Sequence, residues 1–160
     1  MNQDLHVASV RLSAHAHPTE VLDKVKQSLA NLIPDGPALL AKAIETTVAD
    51  GDYGNKIHIL SLLLKSTSQV AAFLQTLKDH LPDEDKQLIR RHFDSFFNPD
   101  NKTLFLRFHK QLAFQGQLRI SQYDDIVHAS IKFTSYAGKA SGGDEVTNIL
   151  KFLLDQGIIA

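Results

Sequence analysis

Alternation of polar and apolar residues dominates several stretches of the chain and predicts β-strands with one face against a core and one in water. In the segment Leu5–Ala16, the even-numbered residues from Ala8 onward are apolar and the odd-numbered ones are polar. Two later stretches alternate in the same way, and other apolar runs are bounded by turn-forming residues. The further predicted strands lie at 39–48, 56–65, 103–109, 117–121 and 127–133.

Apolar residues at helical spacing predict four helices between these strands. Their ends are indicated by proline, by glycine-rich runs and by hydroxyl residues that can cap a helix. In chain order they run from Pro18 to the breaker run 34–37, from Thr67 or Ser68 as cap to Leu81, from Pro82 to about Phe97, and from the end of the loop 138–143 towards the C-terminus.

The predicted elements follow the order β-α-β-β-α-α-β-β-β-α. Strands of a parallel sheet covered on both faces are continuously apolar, whereas most of these strands alternate. We therefore predict an α+β fold, with a mainly antiparallel sheet, helices packed on one face and the other face open. No linker, low-complexity tract or internal repeat divides the sequence, so we expect a single domain over residues 1–160.

Composition excludes several classes of protein. The 160 residues include no cysteine, which rules out disulfides and thiolate metal sites. No apolar run is long enough to span a membrane and the first residues carry no basic side chain, so we expect a soluble, cytoplasmic protein. The formal net charge of −1 argues against a protein that coats nucleic acid by bulk electrostatics. Any nucleic-acid binding must therefore use a local patch.

The outward positions of the alternating strands carry cations, histidines and an aromatic ring, with almost no acidic residue. Several RNA-binding modules use an open sheet of this kind, because cations pair with phosphates while aromatic rings and guanidinium planes stack on bases. The alternative is that these residues are simply the polar side chains that any solvated sheet face needs. The candidate RNA-binding residues are Arg11, His15, Phe105, Arg107, His109, His128 and Lys132, with Arg119 as a further candidate.

Other chemistry has less support in the sequence. The run 138–143 (GKASGG) precedes a helix, but its order differs from that of a Walker A loop, and two carboxylates follow it. His15 and His17 lie on one side of a strand, and His109 or His128 could complete a metal site, yet the spacing matches no zinc motif. No nucleophile elbow or catalytic triad is evident. We therefore predict no metal, no cofactor and no enzymatic activity.

Three stretches carry a resemblance to a known family: 51–57 (GDYGNKI), 104–116 (LFLRFHKQLAFQG) and 124–128 (DDIVH). In this order and spacing they resemble the archaeal family of predicted RNA-binding, exosome-associated proteins, whose fold is similar to that of large-subunit ribosomal protein five. The chain departs from the family pattern at Asp52 and His109, among other positions. The resemblance implies RNA binding, and an accessory role beside an RNA-processing or exosome-type complex.

Two alternatives stay open. Lys110, after the strand 103–109, could reach a phosphate from the sheet edge, or Lys110 and Gln111 could hold the following connection by bonding strand carbonyls. At the level of the whole protein, the strand 56–65 is apolar on both faces. That pattern would suit a protein-interaction or scaffold domain that forms a homodimer through its sheet.

Overall fold

The computed structural model describes residues 5–34, 36–135 and 145–160. Helices and strands are mixed along the chain, and the predicted α+β class is confirmed. The elements are β1 (Leu5–Ala16), α1 (Leu22–Ala30), α2 (Gly36–Ala43), β2 (Glu45–Asp50), β3 (Lys56–Leu64), α3 (Thr67–His80), α4 (Asp83–Arg91), α5 (Phe93–Phe96), β4 (Phe97–Asn98), β5 (Thr103–His109), α6 (Lys110–Phe114), β6 (Ile126–Ser135) and α7 (Glu145–Asp155).

These strands form one sheet in the order β2-β3-β1-β6-β5-β4, and every neighbouring pair is antiparallel. The long strand β1 pairs with β3 on one side and β6 on the other. One extra residue, Ala8, bulges between the pairs Val7–Phe133 and Ser9–Lys132. The bulge resets the alternation, so apolar residues before it and after it lie on the same face.

The helices cover one face of this sheet and bury a continuous core against it. A row across four strands shows the pattern: Leu12 lies opposite Leu62 and Ala129, and Ala129 lies opposite Leu106, all of them buried. Phe133 of β6 extends the core towards α7, where its ring meets that of Phe152 edge-on at 5.9 Å. The odd-numbered residues of β1 after the bulge, and their neighbours on β3, β6 and β5, form the opposite, open face, on which every residue but Thr103 is partly or fully exposed.

The predicted strand 39–48 is wrong in its first half. This segment contains the end of α2 and the beginning of β2. Leu39 to Ala43 are good helix formers, whereas Thr46, Thr47 and Val48 are β-branched and favour a strand. Because the whole stretch is apolar or uncharged apart from one lysine and one glutamate, hydrophobic patterning did not separate the two elements.

Two helix boundaries also differ from the prediction. The N-cap of α3 is Ser66, whose hydroxyl accepts a hydrogen bond from the backbone N–H of Gln69 at 3.2 Å, not Thr67 or Ser68. The helix expected from Pro82 to Phe97 breaks at His92, where the backbone leaves the helical region, and so forms α4 and α5.

The region after β5 is more compact than the sequence indicated. The five residues Lys110–Phe114 form the helix α6, where only a connection was expected. The predicted strand 117–121 is reduced to a single bridge between Ile120 and Phe108. Gly116, with φ of 82°, reverses the chain between these two parts, a conformation that glycine adopts without strain. The loop 138–143 lies outside the described residues.

Candidate nucleic-acid interface

The sheet register brings most of the predicted RNA-binding residues onto adjacent positions of the open face. Neighbouring strands are about 4.8 Å apart, so residues in one cross-strand row contact one another. In order across β3, β1, β6 and β5, one row contains Leu63, Arg11, Ser130 and Phe105, the next contains Ser61, Ser13, His128 and Arg107, and a third contains Ser9, Lys132 and Thr103 on β1, β6 and β5.

Arg11 and Lys132 are the exposed cations of this face that have no acidic partner within the described part of the chain. Arg11 donates one hydrogen bond from Nη1 to the hydroxyl of Ser61 at 2.8 Å, which orients the guanidinium across β3 without neutralising it. Both side chains therefore present a full positive charge to solvent.

Arg107 makes two contacts within the protein, but its charge is only weakly paired. Its Nη2 donates to the backbone carbonyl of Tyr123 at 3.1 Å and lies 3.8 Å from a carboxylate oxygen of Asp124. The Asp124 side chain is fully exposed, so this ion pair is weak and a phosphate can compete for the guanidinium.

Phe105 of β5 and His128 of β6 form an aromatic pair on this face. Their ring centroids are 5.6 Å apart at an angle of 33°, and Nδ1 of His128 lies 3.4 Å from the hydroxyl of Ser130. Partial burial, and then the positive charge of Arg107, lower the pKa of His128. His128 is therefore neutral at neutral pH and offers the face a stacking surface and no charge. His15 is exposed at the end of the same face, opposite Ile59.

Lys110 is buried in a polar cluster beside the end of β1, next to a cavity whose lining it shares with His15, Arg107 and His128. Only 5% of its side chain is exposed. Its ammonium donates to the backbone carbonyl of His15 at 2.7 Å, and it contacts the carboxylates of Glu20 at 3.1 Å and Asp125 at 2.7 Å. The three donors of a lysine ammonium are thus matched by oxygens from three separate segments of the chain.

Neighbouring bonds hold the same connection in place. The hydroxyl of Ser28 donates to the carbonyl of Lys110 at 3.3 Å, and the side-chain amide of Asn31 donates to the carbonyls of Ala113 and Phe114. Of the two roles left open for Lys110, the contacts favour the one that holds the connection, although the sequence placed Gln111 in it as well and Gln111 is exposed.

Arg119 also has its charge neutralised within the protein. Its Nε donates to Asp85 at 3.0 Å, and its Nη2 contacts Glu84. The Asp85 carboxylate is almost completely buried and also accepts the backbone N–H of Ile120 at 3.0 Å. The hydrogen bond and the charge of Asp85 raise the pKa of Arg119. Arg119 therefore fastens the loop after α6 to the first turn of α4.

His109 has a local structural role. Its Nδ1 accepts the backbone N–H of Leu112 at 3.3 Å and so caps the first turn of α6. Among the described residues, no group of three or more histidine and acidic side chains is arranged to hold a metal ion.

The structure contains a cleft beside β5 that was not predicted from the sequence. It has a volume of about 460 Å³ and is formed by α4, α5, the segment 120–122 and the outward residues of β5. Phe96 and His92 line it from the helices, and Phe105 and Arg107 line it from the sheet. Residues this far apart in sequence show no shared periodicity, so no local signal marked the cleft.

The other half of the open face is apolar. Ile57, Ile59 and Leu63 of β3 point to this side, and all three are only partly buried. This strip matches the expectation that the strand is apolar on both faces. The strand β2 beyond it pairs only with β3 and forms one edge of the sheet.

This chain is similar to known archaeal proteins over most of its length. A family model described as RNA binding matches residues 9–133 of this chain. The RNA-binding protein PAB1135 of Pyrococcus abyssi is 27% identical over 135 residues, 84% of this chain and 87% of that protein. The uncharacterized protein MJ0213 of Methanocaldococcus jannaschii is also 27% identical, over 131 residues, 82% of this chain and 87% of that protein.

A solved structure shares the fold. Mth689, a DUF54 protein from Methanothermobacter thermautotrophicus, superposes with a TM-score of 0.72 at 22% identity, over 94% of this chain and 97% of that one. Together these findings confirm the expected likeness to archaeal RNA-binding proteins. The ribosomal-protein-like fold and the association with an exosome stay predictions. In the part of the chain that the structure describes, no helix has the length and apolar character to cross a membrane.

Proposed function

The chain belongs to this RNA-binding family, and from that premise we propose that RNA lies across the open face of the sheet, on β1, β6 and β5. Arg11, Arg107 and Lys132 contact phosphates. Phe105 and His128 contact bases or sugars. His15 extends the contacts along β1.

The observation that carries the proposal is that Arg11 and Lys132, which have no acidic partner among the described residues, lie beside an aromatic pair. An exposed cation that faces no acidic residue contributes little to the stability of the fold. A bound phosphate would give it an ion-pair partner. Arg11 and Lys132 lie in adjacent rows of the same sheet surface as the Phe105–His128 pair. Phosphates and bases of one strand can therefore meet cations and rings together.

The proposed interface leaves out Lys110, Arg119 and His109, although the sequence placed all three among the candidates. The ammonium of Lys110 is enclosed by oxygens, and Arg119 is bound by two carboxylates. Each of these two cations would have to break its ion pairs before it could bind a phosphate, which is costly. An exposed cation without an acidic partner has no ion pair to break. His109 uses its Nδ1 to cap α6.

Salt-dependent RNA binding tests the proposal. Three cations that each neutralise one phosphate of a single strand predict a slope of about −2 in a plot of log affinity against log salt concentration. The double variant Arg11→Gln with Lys132→Gln should weaken binding at low salt at least about tenfold and reduce the slope by about 1.4. Filter binding with a labelled single-stranded RNA and a labelled hairpin measures both quantities.

The matched control is Lys151→Gln, which removes an exposed lysine from α7 in the helix layer. It changes the net charge without touching the open face, so its slope should stay close to that of the wild type. If the wild type retains neither RNA at low salt, the proposed function is wrong. If the control weakens binding as much as the double variant, the open face is not the interface.

A second candidate function uses the apolar half of the face. Ile57, Ile59 and Leu63, together with the edge strand β2, would support a homodimer or another protein contact through the sheet. Light scattering should then give a mass near twice 17.8 kDa, and Ile59→Lys should return it to one chain. A mass of one chain at high concentration would remove this candidate.

We further propose that the protein is not an enzyme and that it acts in the cytoplasm. We also propose that it is an accessory factor of an RNA-processing or exosome-type complex. Binding through the open face needs no catalytic group and no cofactor. A labelled RNA incubated with the protein and divalent metal should stay intact over hours, and its cleavage by protein freed of nucleases would contradict the non-enzymatic role.

A further inference from the structure

The cleft beside β5 occupies a break in the edge of the sheet. At one end of β5, the short strand β4 pairs with Thr103 and Leu104. At the other end, Ile120 bridges to Phe108. Between these pairings, at 105 and 106, no described residue forms a β-bridge with this edge, and the cleft of about 460 Å³ fills that gap.

Hydrogen-bond alternation directs backbone groups of β5 into the same gap. Ser121 donates its N–H to the carbonyl of Arg107, and His109 donates its N–H to the carbonyl of Arg119, both towards the outer edge. In an antiparallel strand, residues two apart point their backbone groups to the same side. The C=O of Phe105 and the N–H of Arg107 therefore face the cleft, where they can bond the edge of a planar, polar ligand, whereas the N–H of Phe105 belongs to the ladder between β4 and β5.

The walls are suited to a flat aromatic ligand beside a negative charge. Leu88, Phe96 and Ile120 supply partly buried apolar surface, while Phe105 supplies a ring from the sheet. Arg107 stands at the boundary with the open face and is exposed. The volume lies within the usual range for small-molecule sites of about 300–1,000 Å³.

We infer that this cleft takes one unpaired base of the bound RNA, so that the protein prefers single-stranded RNA to a fully paired duplex. The inference rests on the proposed function, because it assigns a ligand class to the flank of the same interface. The base stacks on Phe96 and bonds the Phe105 backbone, while Arg107 holds its phosphate. A duplex keeps its bases stacked inside, so it reaches the cations and not the cleft.

The charge distribution favours a nucleotide over an apolar protein segment. The cation Arg107 and the imidazole of His92 are exposed where they line the cleft, and its sheet side continues into the face that carries Arg11 and Lys132. A strand of RNA that crosses this face is therefore led by its phosphates to the mouth of the cleft.

The test compares a non-self-complementary 12-nucleotide RNA with the same strand annealed to its complement, by fluorescence anisotropy. Wild-type protein should bind the single strand about tenfold more tightly than the duplex. Phe96→Leu keeps an apolar side chain but removes the ring, and it should weaken binding of the single strand about tenfold while leaving duplex binding unchanged. The matched control is Phe152→Leu, which removes an equally half-buried ring that packs on the core from α7.

Urea unfolding of both variants separates lost stacking from lost structure. If Phe96→Leu does not fold, the wild type is titrated with uridine monophosphate and its backbone amide chemical shifts are followed by NMR. The amide signals of Phe105 and Ser121 should then shift most. Equal binding of single strand and duplex, or a single-strand preference that Phe96→Leu leaves intact, would overturn the inference while the RNA-binding proposal stands. No binding of either RNA would instead remove the proposed function.

Discussion

Four basic residues that were all predicted as RNA-binding candidates end in two opposite environments. Lys110 and Arg119 lie at the connections beyond the end of β5, where carboxylates from distant segments neutralise them. Arg11 and Lys132 lie in the middle of β1 and β6, where their cross-strand neighbours are uncharged and no carboxylate of the described residues pairs with them.

The difference shows which cations stabilise the fold and which are available to a ligand. A buried charge must be paired, because transfer out of water without a partner is too costly. An exposed charge needs no partner and contributes little to stability. Lys110 therefore belongs to the architecture of the sheet end, whereas Arg11 and Lys132 remain free for phosphates.

The largest effect should come from Lys110→Met. Methionine fills a similar volume but leaves the carbonyl of His15 and the carboxylate of Glu20 without their buried donor. Breaking a fully buried pair costs about 3–5 kcal/mol, and because Glu20 and Asp125 can regain some water we expect a loss of about 2–3 kcal/mol in the free energy of unfolding. Urea denaturation measures it.

Lys132→Met is the control for this change, since it removes the same charge from an exposed strand position. We expect its free energy of unfolding to stay within about 0.5 kcal/mol of the wild type. Equal losses for Lys110→Met and Lys132→Met would abolish the distinction between the two kinds of cation.

A smaller loss is expected at the other neutralised cation. Asp85→Asn keeps an oxygen for the N–H of Ile120 but removes the buried charge that faces Arg119, which should cost about 1–2 kcal/mol. Glu84→Gln removes the exposed carboxylate from the same guanidinium and should cost less than about 0.5 kcal/mol. A thermal or urea melt compares the two, and a larger loss for Glu84→Gln would contradict the structure.

The smallest effect concerns the pKa of His128 on the open face. Arg107→Gln removes a positive neighbour, so this pKa should rise, yet it should stay below its ordinary value because burial is the larger cause. NMR titration of the imidazole protons follows it. An unchanged pKa in Arg107→Gln would show that the two side chains are not close neighbours in solution.

The same shift gives His128 a defined effect on stability. Its folded pKa is lowered, so the unfolded chain binds the proton more readily between the folded and unfolded values. The free energy of unfolding should therefore fall as the pH drops through that window, and this contribution is fully present above the unfolded value. His128→Gln should flatten the pH dependence of stability in this window.

The fold was predictable wherever a local pattern carried the information. The strand from Thr103 to His109 was predicted with its observed ends, because each residue alternates between a dry and a wet face. The segment 39–48 was not, since both halves are largely apolar and only the change from helix formers to β-branched residues separates them. The brief strand at 117–121 failed because its pairing depends on Gly116 and on the edge of β5.

The candidate site was predictable to the same extent. Alternation placed Arg11, Phe105, Arg107, His128 and Lys132 on one face, and the sheet register brings them into adjacent rows. Alternation does not show which acids come near a side chain beyond the end of a strand. For this reason Lys110 and Arg119, which lie at the connections beyond β5, were predicted to bind RNA together with the residues of the open face.

The sequence by itself determined the α+β class, the existence of an open face and the side chains that point to it, because strand alternation is a local consequence of backbone geometry. Only the tertiary structure decided which cations are already neutralised and where the cleft lies. Both depend on segments far apart in sequence: Glu20 and Asp125 come together around Lys110, and α5 meets the broken edge of β5. Such meetings follow from the packing of the whole chain, and no short stretch of residues encodes them.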